Sequence, residues 1–371
     1  MKINRLLFFI VLLSVAVAAI SPAAYRPETV RVAIARGVEE VKVDGDGLLV
    51  SDDRGDAVAV DMPCSVRRSL GGTLVMGGIS SRRFIFSSPS LVKINGRGYR
   101  GVIELHPVDK GILVVNELPL EEYLVGLINC EISSLWPIEA VKAQAVIARS
   151  YAIYQKDNRK GALYHLESSV MDQVYNGADI EDSRAARAVK ETEGEVLVHS
   201  GNIIQAFYHS NCGGHTEAAV NVWGADIPYL QGVECRYCVN TPPARWELTL
   251  SLKKIESLLK SAGHQFGSIR EIRGGRLNDS GRLQNLILVT SRGDSKISAV
   301  NFRKAVGYSV LKSTNFTLRQ RGDEIIFSGA GNGHGVGLCQ WGAKQRAGDG
   351  FSYREILNYY YPGVRLERLK G

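Results

Sequence analysis

The segment NCEISSLWPIEAVKAQAVIARSYA, residues 129–152, decides how the rest of the chain is read. Pro137 suits the first turn of a helix, so a helix is expected over 137–155. Ile138, Val141, Ala145, Ala148 and Ala152 recur along it at steps of three and four. That spacing draws a stripe of mostly small apolar side chains down one face, as in a helix packed closely against its neighbours. Lys142 and Arg149, seven residues or about two turns apart, share another face. Glu131 stands just upstream, near apolar Ile132, Leu135 and Trp136. An acid in apolar company has its pKa raised, whereas nearby cations lower it. Such opposed effects keep a carboxyl poised for proton transfer near neutral pH. The plainer reading is a solvated basic face beside a packed acid, and these residues alone leave both open.

Working outward, residues 29–115 read as short strands broken by glycine turns. VRVAIARG alternates, VEEVKVDGDGLLVSDD carries a D-G turn and VKINGRGYRGVIELHP an N-G turn. The character changes at Pro119. LPLEEYLVGLIN is expected to be helical, with Glu121 and Glu122 near the positive end of the helix. A third helix is expected over 182–192, and a hairpin turning at Gly201–Asn202. Residues 246–327 alternate strands with short helices near 252–262 and 300–306. The final stretch is a glycine-rich loop entering two helices. The expected fold is α+β. A β-rich N-terminal region (29–115) precedes a mixed core with the Pro137 helix at its centre (116–245). An α+β subdomain (246–330) follows, and the glycine-rich loop with C-terminal helices (331–371) completes the core.

The 371 residues suffice for two or three domains, and 45% hydrophobic with 22% charged residues is ordinary for a folded protein. A net charge of +7 suits an acidic partner or surface. No run of consecutive basic residues stands out, which argues against nucleic acid. MKINRLLFFIVLLSVAVAAISPAAY has the charge, apolar run and small residues of an export signal over 1–24, with cleavage expected after Ala23 or Ala24. The apolar run is short of the ~20 residues that span a bilayer. Membrane contact would come only through an uncleaved N-terminal segment. The expected location is outside the cytoplasm, in the cell wall, the periplasm or on the outer face of the cytoplasmic membrane.

Two further stretches carry metal-binding or ligand-binding chemistry. His209-x-x-Cys212 and Cys235-x-x-Cys238 form two close ligand pairs, and zinc is expected at His209, Cys212, Cys235 and Cys238 with His215 in reserve. The competing reading is a redox C-x-x-C or disulfides in an oxidising envelope. In GAGNGHGVGLCQWGAKQRAG, glycines surround His334 and allow close backbone approach. The G-K-[ST] of a phosphate loop is missing. A ligand loop and a tight turn around a packed histidine both fit.

Taken together, LPLEEYLVGLINCEISSLWPIEAVKAQAVIARSYA, FYHSNCGGHTEAAVNVWGADIPYLQGV and GNGHGVGLCQWGAKQRAGDGFSYREILNYYYPG resemble the stage II sporulation protein D and amidase-enhancer family. The resemblance implies action on peptidoglycan, either as a lytic transglycosylase on glycan strands stripped of stem peptides or as a non-catalytic enhancer of a cell-wall amidase. It places Glu131 at the catalytic glutamate, with Lys142 and Arg149 as cations important for activity. Gln173 and Tyr175 of DQVYNG, with His334 and Gln340, are expected beside the glycan. Serine is usual in the family where this chain has Cys339, and frequent where it has Cys212. Ordinary glycoside hydrolysis needs two carboxylates, whereas ring closure by the sugar's own hydroxyl needs one. On that reading the two cations would hold the lactyl carboxylate that a missing stem peptide leaves free.

Overall fold

The structure, a computed structural model, describes residues 28–369; the export signal read at 1–24 lies outside them. Eight α-helices and 23 strands give the α+β fold among the described residues. No helix among them is long and apolar enough to cross a membrane.

Two six-stranded sheets make up most of the N-terminal region. One has Thr29–Val38 and Ile112–Pro119 as antiparallel neighbours near its middle; the other is built around Glu40–Asp44 and Cys64–Arg68. Alternating Val30, Val32, Val41, Val43, Phe84, Phe86, Ile103 and Leu105 turn into one core. The strand Ile112–Pro119 crosses the boundary drawn at residue 115 and feeds directly into helix α1 (Leu120–Glu131). Side chains of α1 and of α2 (Ile138–Asn158) join the same apolar cluster, so the core is continuous across that point.

Helix α2 is central. Val141, Ala145, Ala148 and Ala152 face the sheet-and-α1 core, while Ala143, Val146 and Ile147 face a second core with Leu338, Ala343, Ile356 and Leu357. A helix buried on both sides needs small side chains, which the alanines supply. Pro137 caps it from just outside rather than sitting in its first turn. Helix α3 (Ser183–Glu191) packs against both, its N-terminus capped by Asp182 accepting from Arg184 and Ala185 N–H. The expected hairpin forms, but its turn residues are Ser200 and Gly201, both with positive φ. Residues 245–330 build a third core from two three-stranded sheets and the helices Leu252–Ser261 and Ala299–Val306.

Candidate functional site

Beyond the hairpin the chain does something the local pattern does not show. Tyr208–His209 pairs in parallel with Leu338–Cys339, well over a hundred residues later. Gly337 permits this approach: its φ is +72°, and a Cβ there would overlap the Phe207 carbonyl. Tyr208 on the first strand and Gln340, which opens the helix after the second, reach one side, and Cys339 reaches the other.

On the first side lies Glu131. Its Oε1 accepts from Val174 N–H at 2.8 Å, and the Tyr208 hydroxyl and Gln340 side-chain amide lie close enough to favour its charged form. Burial raises its pKa above the ordinary 4.5, and these three donors oppose the shift without cancelling it. All three donors are uncharged. The surrounding shell is polar and ordered: Gln173 Nε2 donates to the Tyr208 hydroxyl at 3.3 Å, Tyr123 donates to Gln173 Oε1 at 3.1 Å, and Gln340 donates to Gln144 at 3.3 Å. Among the described residues no second carboxylate is hydrogen-bonded to Glu131. This arrangement can give and take one proton at a partly open carboxyl.

The two cations are elsewhere. Lys142 and Arg149 do share a face of α2, but it turns toward α3, roughly opposite the face of Gln144 and Ala148 that meets the Glu131 network. Lys142 pairs with Glu139 at 2.9 Å and Glu191 at 2.7 Å. Arg149 is fully buried, forked onto Glu121 at 2.8 and 2.7 Å, and donates to the Glu195 carbonyl at 3.0 Å. The shared site expected for these three residues is therefore corrected: the cations tie α2 to α1 and α3 and are already neutralised. Arg149→Met should lower the denaturation free energy by about 3 kcal/mol, the low end for a broken buried pair because Glu121 is 31% exposed. Urea unfolding measures this; an unchanged midpoint with lost activity would return Arg149 to the site.

Tyr175 is likewise corrected. It is buried between Tyr99 and Tyr123 and donates to Asn116, so it is a core residue rather than a surface for glycan. Gln173, also fully buried, acts on Glu131 through Tyr208. His334 packs with Phe207, His209 and Trp223, and its Nδ1 accepts from Val336 N–H at 3.1 Å. Burial and nearby Arg303 push it down to about 4, so it is neutral near pH 7. Of the expected substrate residues, Gln340 alone acts directly on the Glu131 charge. Tyr208 and Gln144 were missed, although Tyr208 lies in the quoted FYHSNCGG motif.

On the second side are four buried thiols. Cys212, Cys235, Cys238 and Cys339 bring their sulfurs within 4.8 Å of one another, and no disulfide joins them. The expected set had His209 in place of Cys339. His209 is turned away because its Nδ1 bonds the Val336 carbonyl at 3.1 Å and its ring packs against His334. His215 instead bonds the Thr216 carbonyl. Cys339 caps the helix Gln340–Gly348, where Gly342 N–H reaches its sulfur at 3.4 Å; Cys212 N–H reaches it at 3.3 Å. Gly342 leaves room: a Cβ there would collide with the Tyr360 hydroxyl and Cys235 Sγ. Tetrahedral sulfur ligands about 2.3 Å from a metal lie about 3.8 Å apart, so the cluster has the dimensions to hold one ion.

A family model described as Stage II sporulation protein matches residues 108–199, the span that carries Glu131, Lys142, Arg149, Gln173 and Tyr175. A second model, a domain of unknown function, matches 239–337, which contains the whole third core. An uncharacterized protein of Brachyspira hyodysenteriae is 35% identical over 304 residues, covering 81% of each chain. The amidase enhancer of Bacillus subtilis is 30% identical over 331 residues, with 76% of this chain but only 46% of that protein covered. Stage II sporulation protein D of the same organism is 27% identical over 274 residues, covering 68% of this chain and 75% of that one. The chain belongs to the stage II sporulation protein D and amidase-enhancer family.

Proposed function

We propose that the protein acts in the cell envelope on peptidoglycan as a lytic transglycosylase, with Glu131 as acid and then base. The observation that carries this reading is the buried Glu131 carboxyl, raised in pKa, bonded by Val174 N–H and flanked by the uncharged donor groups of Tyr208 and Gln340. Its proton passes to the glycosidic oxygen as the bond from that oxygen to the muramic C1 breaks. The same sugar's C6 oxygen then bonds to C1, and its proton returns to the Glu131 carboxylate. No water is consumed, and the attacking group is already tethered to its target. Val174 N–H, Tyr208 and Gln340 stabilise the carboxylate between the two transfers, while burial, which raises its pKa, keeps it basic enough to take the proton back.

A non-catalytic role in stimulating a wall amidase is the second reading, favoured by the name of the Bacillus subtilis relative. Two substrates separate the readings: release of soluble fragments from denuded glycan by the purified protein alone supports the enzyme, whereas no release there, with faster peptide release from intact peptidoglycan when the protein is added to an amidase, supports the enhancer. The pH profile adds a check. Cleavage needs protonated Glu131, so its rate falls as pH rises through the raised pKa. The high-rate region should therefore extend closer to neutrality than an acid of pKa 4.5 would allow. A profile already falling at that ordinary value would remove Glu131 from the acid role.

The four cysteines would hold zinc in a closed, structural set. Buried Arg282 fits a site of net negative charge. It donates to the Cys212 and His215 carbonyls and lies close enough to Cys212, Cys238 and Cys339 to feel their charge. The ion would clasp the segments bearing Tyr208 and Gln340 behind Glu131.

A further inference from the structure

With Lys142 and Arg149 neutralised by their own acids, recognition of an anionic sugar needs another cation near Glu131. Trp136 follows Glu131 by five positions, and Trp341 directly follows Gln340, so the two chain segments that meet at the carboxyl each carry an indole. Their ring centroids are 5.1 Å apart at a tilt of 55°. Lys344, one turn beyond Trp341, places its ammonium 4.4 Å from the Trp341 centroid and 5.0 Å from that of Trp136. All three side chains are partly exposed. Their backbones are fixed: Trp341 N–H donates to Ser210 at 3.1 Å, and the Trp136 carbonyl accepts from Arg184 at 3.2 Å. Lys344 forms no ion pair among the described residues, in contrast to Lys142, Arg149 and Lys156.

We propose that Trp136, Trp341 and Lys344 form the subsite that reads a sugar carrying a free carboxylate, which rests on the glycan reading of the Glu131 cleft. Indoles offer flat apolar faces to the C–H face of a saccharide ring, as aromatic linings do in ligand sites generally. An ammonium resting on indole π-faces is partly stripped of water and is held by weak contacts that a carboxylate can replace. The charge-assisted bond it then makes is the strong kind. A stem peptide would convert that carboxylate to an amide and remove the attraction, so selection of denuded strands falls to Lys344.

The test is calorimetric binding in a Glu131→Gln background, where ligands are not cleaved. Soluble denuded glycan fragments are compared with peptide-bearing fragments and with neutral N-acetylglucosamine oligomers of equal length. Lys344→Met should weaken binding of denuded fragments by about tenfold or more and change neutral oligomers by less than about twofold. Lys344→Arg should restore most of the loss, and Trp341→Ala should weaken both ligands. Thermal melting confirms that each variant is folded. Equal weakening of charged and neutral ligands by Lys344→Met, or of neither, overturns the subsite while leaving the glycan cleft standing. If the parent protein binds neither ligand, the glycan reading fails and the subsite with it.

Discussion

Glu131→Gln should reduce glycan cleavage by about 10²–10⁴-fold, the range that general acid–base help supplies. The substitution keeps an oxygen for Val174 N–H and keeps the side chain's volume, so the fold should survive. Its effect on stability has a definite sign. A carboxyl whose folded pKa is raised above its unfolded value stabilises the fold fully at low pH, and that contribution is lost as pH rises through the folded value. Glutamine carries no such dependence. The melting temperature of the variant relative to wild type should therefore climb as pH increases through the titration of Glu131. A variant that cleaves at the normal rate would make Glu131 a packed acid with no chemical role.

Cys339→Ser should abolish zinc binding at the proposed four-thiol site and unfold much of the second core. Zinc contributes about 10–16 kcal/mol of apparent binding free energy in small structural sites, and a folded core without it forfeits part of that. The four sulfurs sit among Leu338, Ala343, Ile356, Leu357 and Tyr360, so loss of the clasp exposes packed apolar surface. Metal analysis of wild type should give one zinc per chain. Cys339→Ser should give little zinc and a much lower melting temperature, and chelation should lower wild type in the same way. His209→Ala should keep its zinc, because His209 is turned toward Val336 and His334. Loss of zinc from His209→Ala with retention in Cys339→Ser would restore the ligand set read from sequence spacing.

The contrast between those two residues shows where sequence reading stops. Pro119, Pro137 and Asp182 are local punctuation, and each starts a helix within a residue of where it was expected. Glu131 could be singled out because its apolar neighbours are close in the chain. Periodicity put Lys142 and Arg149 on one face, correctly, but periodicity contains nothing about which helix that face meets; α3 lies there, and Glu131 does not. Cys339 and Gln340 reach the site through a two-residue parallel pairing with Tyr208–His209. A pairing that short, across so long a separation, leaves no alternation to read. Tyr175 illustrates the same limit: its motif itself donates to Glu131 through Val174 N–H, yet the Tyr175 ring turns the other way, into the core.

The central claim is that one carboxyl does both proton transfers and that the substrate supplies its own nucleophile. Mass spectrometry of the fragments released from denuded glycan by wild-type protein tests it most directly. Ring closure predicts new ends carrying 1,6-anhydro-N-acetylmuramic acid, lighter by one water than the hydrolytic product. Fragments ending in an ordinary reducing sugar would mean that water attacks, that a second base operates, and that the single-carboxylate account of Glu131 is wrong.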